Sequence, residues 1–212
     1  MSGSPVEQAA LGLRAHSGWA VLVAVRGPID RPIVIHRRRI ELADRGVSGS
    51  AQPYHAARSM ELGEAEALLN RCADTAKAMA REAVQEVVEE LIEQGFGVAG
   101  SSVLFSSGRS TTELAAILAS HPLMHTSEGN FFREALRSGC KACGLAVSAV
   151  PERELLSRCA VAFGMSPDEV ERQAAAIGKS VGPPWRQDEK LSAMAGWLEL
   201  GHSVQYSGCA VR

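Results

Sequence analysis

Apolar residues cluster early in two runs. The first is Ala9-Ala10-Leu11-Gly12-Leu13, ending on Arg14, and the second is Trp19-Ala20-Val21-Leu22-Val23-Ala24-Val25. Ala15-His16-Ser17-Gly18 separates them, so the pattern predicts strand, tight turn, strand over about 9–14 and 18–25. Gly27-Pro28-Ile29-Asp30-Arg31-Pro32 is dense in turn residues. The stretch from Ile33 to Leu42 follows as a third strand, with Ile40 and Leu42 on one side and Arg39 and Glu41 on the other. That alternation is the period of a half-exposed strand. Three strands on short turns predict an antiparallel meander.

The period then changes. After a Gly- and Ser-rich loop (44–52), Ala65, Leu69, Cys72, Ala76, Met79, Ala83, Val87 and Leu91 recur at steps of three and four. They predict one long helix over roughly 59–94 with a single apolar stripe, stopped by Gly95. Pro53-Tyr54-His55 suggests an earlier turn and Gly63 a bend. Leu68, Val84, Val88 and Ile92 form a second apolar flank. It pairs across a homodimer axis or simply widens the core contact. Residues 96–105 read as a fourth strand and 111–120 as a short helix stopped by Pro122. Ser127 caps a helix running to Arg137, and 145–150 form a fifth strand. Pro151 opens the next helix, to about Phe163, and Ser166-Pro167-Asp168-Glu169 opens another. A loop over 178–185 leads to the last helix, 187–200, closed by Gly201. The order β-β-β-α-β-α-β-α implies a mixed sheet with helices on both faces. We expect one domain over 9–200, with 1–8 a flexible N-terminus and 201–212 a tail.

Composition narrows the setting. The chain has 212 residues, 46% hydrophobic and 22% charged, enough for a core without disulfides. The net charge is −2, so no global basic field marks a nucleic-acid binder, and Arg37-Arg38-Arg39 is a local exception. On a strand those three side chains alternate faces, so they make either a partial phosphate contact or a solvated edge. The five cysteines include Cys140-Lys141-Ala142-Cys143, half of a zinc site at most, placed at a helix end where redox pairs are not expected. No secretory lead and no membrane-length apolar run is present, so a cytoplasmic protein with reduced thiols is expected.

The element order resembles the ribonuclease H-like fold, in particular its Holliday-junction resolvase branch. Leu11-Gly12-Leu13 followed by a turn and Gly18 looks like that family's first hairpin. Asp188, opening the last helix ahead of Ala193, Ala195 and Trp197, looks like its last catalytic carboxylate. The resemblance implies an α/β fold: a mixed five-stranded sheet, meander plus parallel strands, flanked by helices. It also implies carboxylates from the first strand, the fourth strand and the last helix gathered around Mg²⁺ or Mn²⁺. Here the first position holds Arg14, and Val98-Ala99-Gly100-Ser101-Ser102-Val103-Leu104 holds no acid. Only Asp188 and its neighbour Glu189 remain.

Other chemistry is therefore weighed. His16 lies in the first hairpin turn. His125 and Glu128 precede and open the helix predicted from Ser127, as an acid–base pair or as a simple cap. His121 and His125 are four apart, but Pro122 argues against a shared helix face. Trp185 sits over the sheet edge or plugs the core. Two functions are carried forward. In one, an enzyme acts on nucleic acid or a phosphorylated ligand. His16, His125, Glu128 and Asp188 are catalytic, Asp188 and Glu128 hold a metal, and Arg14, Ser101 and Ser102 bind an anion. In the other, a degenerate domain binds nucleic acid or a protein partner without activity.

Overall fold

The computed structural model describes residues 6–106 and 111–207. Met1 to Pro5, Ser107, Ser110 and Cys209 lie outside the described residues. Five strands form one sheet: β1 (Gln8–His16), β2 (Trp19–Arg26), β3 (Ile33–Glu41), β4 (Gly97–Phe105) and β5 (Val147–Pro151). Their order is β3-β2-β1-β4-β5. β1, β2 and β3 pair antiparallel as a meander, β4 pairs parallel with β1, and β5 pairs parallel with β4. The first hairpin closes over Ser17-Gly18, with His16 opposite Trp19 and Gly18 at φ +79°. The mixed five-stranded sheet expected from the element order is present.

Two helical layers cover it. The helices are α1 (Pro53–Ala57), α2 (Leu62–Glu93), α3 (Leu114–Ala119), α4 (His121–Ala142), α5 (Leu155–Phe163), α6 (Pro167–Ala176) and α7 (Gln187–Ser207). Alternation along β2 divides the core. Ala20, Leu22 and Ala24 face α2 and α4, while Val21, Val23 and Val25 face α5, α6 and α7. That two-sided burial is why the run 19–25 is apolar throughout. Each fully buried Leu or Val side chain contributes about 1.5–3 kcal/mol by leaving water.

Several sequence expectations change. Leu68 and Val84 are buried and Val88 packs on the main core, so the second flank of α2 widens the core contact; Ile92 remains exposed. Gly63 lies inside the first turn of α2 without ending it. Pro151 ends β5, and a 3-10 turn (Glu152–Glu154) precedes α5. Gly201 does not stop the last helix, which continues to Ser207; it packs against Phe163 and Ile29. Ser127 does not cap a helix, because α4 begins six residues earlier and buries it. Ser166 does cap α6, accepting from the Glu169 N–H. Each arginine of 37–39 is committed. Arg37 donates to the Gly182 carbonyl, Arg38 to Glu86, and Arg39 lies 3.9 Å over the Trp19 ring. Trp185 packs against Gly178 and donates to the Ala174 carbonyl, which makes it a core plug. Among the described residues no helix is long and apolar enough to cross a membrane.

One packing contact positions everything at the sheet edge. A Cβ on Gly12 would lie 1.8 Å from the Ser192 carbonyl oxygen, and one on Gly196 would lie 3.0 Å from the Gly12 nitrogen. Bare backbone on β1 thus lets α7 lie directly on the central strand. Two residues beyond Gly12 along the strand is Arg14, and one helical turn before Ser192 is Asp188. The rise of about 6.6 Å along the strand nearly matches the helical turn of about 5.4 Å. The two side chains therefore meet.

Candidate functional site

Arg14 lies at the C-terminal end of β1, with Glu152 beyond the end of β5 and Asp188 in the first turn of α7. Its guanidinium grips Glu152 bidentately, Nε to Oε2 at 3.0 Å and Nη2 to Oε1 at 2.9 Å, and Nη1 donates to Asp188 Oδ1. Burial opposes the charge on Arg14. The hydrogen bond and attraction of Glu152, joined by Asp188, outweigh it and hold its pKa above the ordinary arginine value. His16 Nε2 is 2.8 Å from Arg14 Nη1 and 3.0 Å from Asp188 Oδ1. One nitrogen cannot serve both: it accepts from Arg14 or donates to Asp188. The ring is held in place by stacking on Trp19 at 4.2 Å, and Arg39 also lies over that indole.

A cleft of about 540 Å³ opens beside this group, lined by Arg14, His16, Phe105, Ser106, Arg133 and Glu152, among others. Arg133 projects from α4 and is half-buried. Among the described residues its hydrogen bonds go to neutral groups, Asn130 Oδ1 at 2.8 Å and Ser106 Oγ at 2.7 Å. Burial pulls its pKa down; Glu152 opposes this and Arg14 adds to it. A partly desolvated cation with neutral partners favours an incoming anion.

His125 and Glu128 do not join this group as a catalytic pair. Proline is tolerated in the first helical turn, where its missing N–H has no partner to lose. α4 therefore starts at His121, with Pro122 in its first turn, and His121 and His125 share a face. Their Nε2 atoms are 3.2 Å apart, and both rings are exposed. His55 of α1 packs against them, with ring centroids 5.5 Å and 4.9 Å away. Glu128, only 2% exposed, turns to His55: Oε1 accepts the His55 backbone N–H at 3.2 Å, and Oε2 lies 2.9 Å from its Nδ1. Glu128 therefore does not cap its own helix; it accepts a first-turn N–H of α1 and faces His55. Burial, reinforced by the Glu128 charge, pushes the neighbouring Tyr54 hydroxyl up.

Ser101 and Ser102 are also displaced from the anion role. Both are fully buried in mid-strand opposite Leu11 and Gly12, and Ser101 donates to the Ala146 carbonyl. Glu189 accepts the Arg186 N–H at 2.8 Å and so caps α7. Cys140 and Cys143 occupy the C-terminal end of α4. Burial pushes the Cys140 thiol up to about 11, and burial raises Cys143 too, which is the wrong direction for a redox pair. Sequence reasoning overlooked Glu152 and Arg133. An acid immediately after a strand, as in Val150-Pro151-Glu152, was a usable signal. Arg133, between Phe132 and Glu134 on a helix, offered none.

No protein-family model matches the sequence, and no curated protein does. Solved structures do match in shape. Thermus thermophilus RuvC covers 93% of this chain and 96% of its own, with a TM-score of 0.55 and 11% identity. T. thermophilus RuvC in complex with Holliday junction substrate covers the same shares, with a TM-score of 0.56 and 11% identity. The fold is ribonuclease H-like. Identity this low extends to fold alone.

The divalent metal implied by that resemblance does not fit the residues at the β1 edge. Mg²⁺ and Mn²⁺ need several oxygen donors free to turn toward them. Glu152 and Asp188 already converge on the Arg14 guanidinium, whose fixed charge would repel a cation. The ribonuclease H-like edge thus carries its positive charge covalently.

Proposed function

We propose that this chain is a ribonuclease H-like domain that binds nucleic acid at the Arg14–Arg133 cleft without metal-dependent cleavage. Residues 9–200 serve as the binding unit in this reading. The observation that carries it is the lock of Arg14 between Glu152 and Asp188, which fills with a guanidinium the place two carboxylates would offer a metal. Arg133 and Arg153 line the same cleft and supply cations for phosphate oxygens. His16 lines the same cleft. The Holliday junction held by a protein of the same fold supports nucleic acid as the ligand class.

The test measures fluorescence anisotropy of labelled four-way junction, duplex and single-stranded DNA, and of RNA, in Mg²⁺ and in chelator, with gels run in parallel for cleavage. Binding equal in both buffers, no cleavage, and a loss of about tenfold in Arg133→Ala, on the order of one charged hydrogen bond, are expected. Mg²⁺-dependent cleavage that disappears in Asp188→Asn would overturn the non-cleaving reading. Absence of binding to all four substrates would overturn the ligand class.

A further inference from the structure

Away from that edge, three imidazoles from two helices converge at the surface. The ligand-capable nitrogens of His55, His121 and His125 all lie within 4.8 Å of one another. The His121–His125 separation of 3.2 Å is close to the roughly 3.3 Å between two nitrogens bound tetrahedrally to Zn²⁺ at about 2.0–2.1 Å. His55 enters from α1 and the other two from the first turns of α4, so the cluster bridges two elements.

The buried carboxylate behind His55 gives the cluster direction. Glu128 Oε2 and His55 Nδ1 lie 2.9 Å apart but out of line for a hydrogen bond, and neither buried atom has a hydrogen bond to another described residue. The second carboxylate oxygen does hold the His55 backbone N–H. With Nδ1 facing Glu128 Oε2, Nε2 is the ring nitrogen left for a metal. A carboxylate on the far nitrogen is the arrangement that orients a histidine toward a metal and strengthens it as a donor. Hard cations do not suit three imidazoles, whereas Zn²⁺ does.

We infer that His55, His121 and His125 form a Zn²⁺ site, with Glu128 orienting His55 and the fourth position open to water or an exchangeable ligand. The metal would pin α1 to the start of α4. This site is independent of nucleic-acid binding at the β1 edge.

The experiment uses the full chain without a polyhistidine tag, stripped of metal by chelator and titrated with Zn²⁺ against a chromophoric competitor. Co²⁺ is the second probe, its visible spectrum reporting tetrahedral nitrogen coordination. One equivalent of Zn²⁺ is expected to bind, with affinity falling at least 100-fold in His121→Ala and in His125→Ala. Both residues are exposed, so these variants should fold. Glu128→Gln should weaken binding by 10–100-fold, the usual scale for such a supporting carboxylate. Cys143→Ser should leave the stoichiometry unchanged, separating the site from the half-buried thiol. Substoichiometric Zn²⁺ binding, or affinity unaltered in His125→Ala, would overturn the proposal.

Discussion

At the end of β1 a single fixed charge decides what the edge can do. Arg14 joins Glu152 from one side and Asp188 from the other, and all three side chains are partly buried. Replacing Arg14 by Asp turns a cation held between two carboxylates into three facing carboxylates. Loss of hydrogen bonds to charged groups plus like-charge repulsion should cost about 2–4 kcal/mol in chelator. Millimolar Mg²⁺ should restore part of that, because three oxygen ligands now converge without a competing cation. The measurement is the thermal midpoint with and without Mg²⁺. A wild-type midpoint that rises with Mg²⁺ as much as the variant's would show that the guanidinium does not exclude the metal. Arg14 and Asp188 were readable as site residues from the sequence. Glu152 was not singled out, because strand ends carry acids for many reasons and only packing brings this one to β1.

Between elements, two contacts carry testable weight. The first is α7 on β1. In Gly12→Ala the new Cβ meets the Ser192 carbonyl at 1.8 Å, and both partners are backbone, so the helix itself must move. We expect destabilisation of about 3 kcal/mol or more, read by urea unfolding, with nucleic-acid affinity falling as Asp188 slides from Arg14. Gly63→Ala, with no atom within 4 Å, is the control and should be neutral or stabilising by about 0.5 kcal/mol. The second is β3 on α2, where Arg38 donates to Glu86 and Glu90, and His36 lies 3.5 Å from Glu90. Burial pushes the His36 pKa below 6.5; Glu90 opposes this and Arg38 reinforces it. The unfolded chain then binds this proton more readily than the folded one. Its contribution is fully present above about pH 6.5 and is lost as pH falls toward the lower folded value. Unfolding midpoints between pH 8 and 5 should fall less in His36→Gln than in the wild type. An equal fall would remove His36 as a cause.

On the scale of the whole molecule, a net charge of −2 limits how nucleic acid can be held. No global field draws the polyanion in, so attraction must come from a few arginines at one cleft. The logarithm of the DNA association constant against that of salt concentration should therefore be shallow, about −2 to −3, as for two or three neutralised phosphates. A slope near −8 would place binding on a much broader surface. The same scale explains why both helical layers are needed. α2 and α4 support the face of β1 that carries Leu11 and Leu13, and α7 supports the face that carries Gly12 and Arg14.

The sequence by itself determined the strands and their apolar faces, the long helix and the order of elements, because strand and helix periods are local and survive without a partner. It also determined that β1 carries Arg14 near its end and that β4 holds no acid, since residue identity needs no fold. Tertiary structure alone decided which polar groups meet. Whether Pro122 breaks a helix or starts one depends on where that helix begins, and that choice moved His121, His125 and Glu128 to a separate cluster with His55. Likewise, Gly12 is one residue of an apolar strand run in one dimension and a helix-docking surface in three. Contacts between residues far apart in the chain are set by layer packing, and layer packing has no period to read.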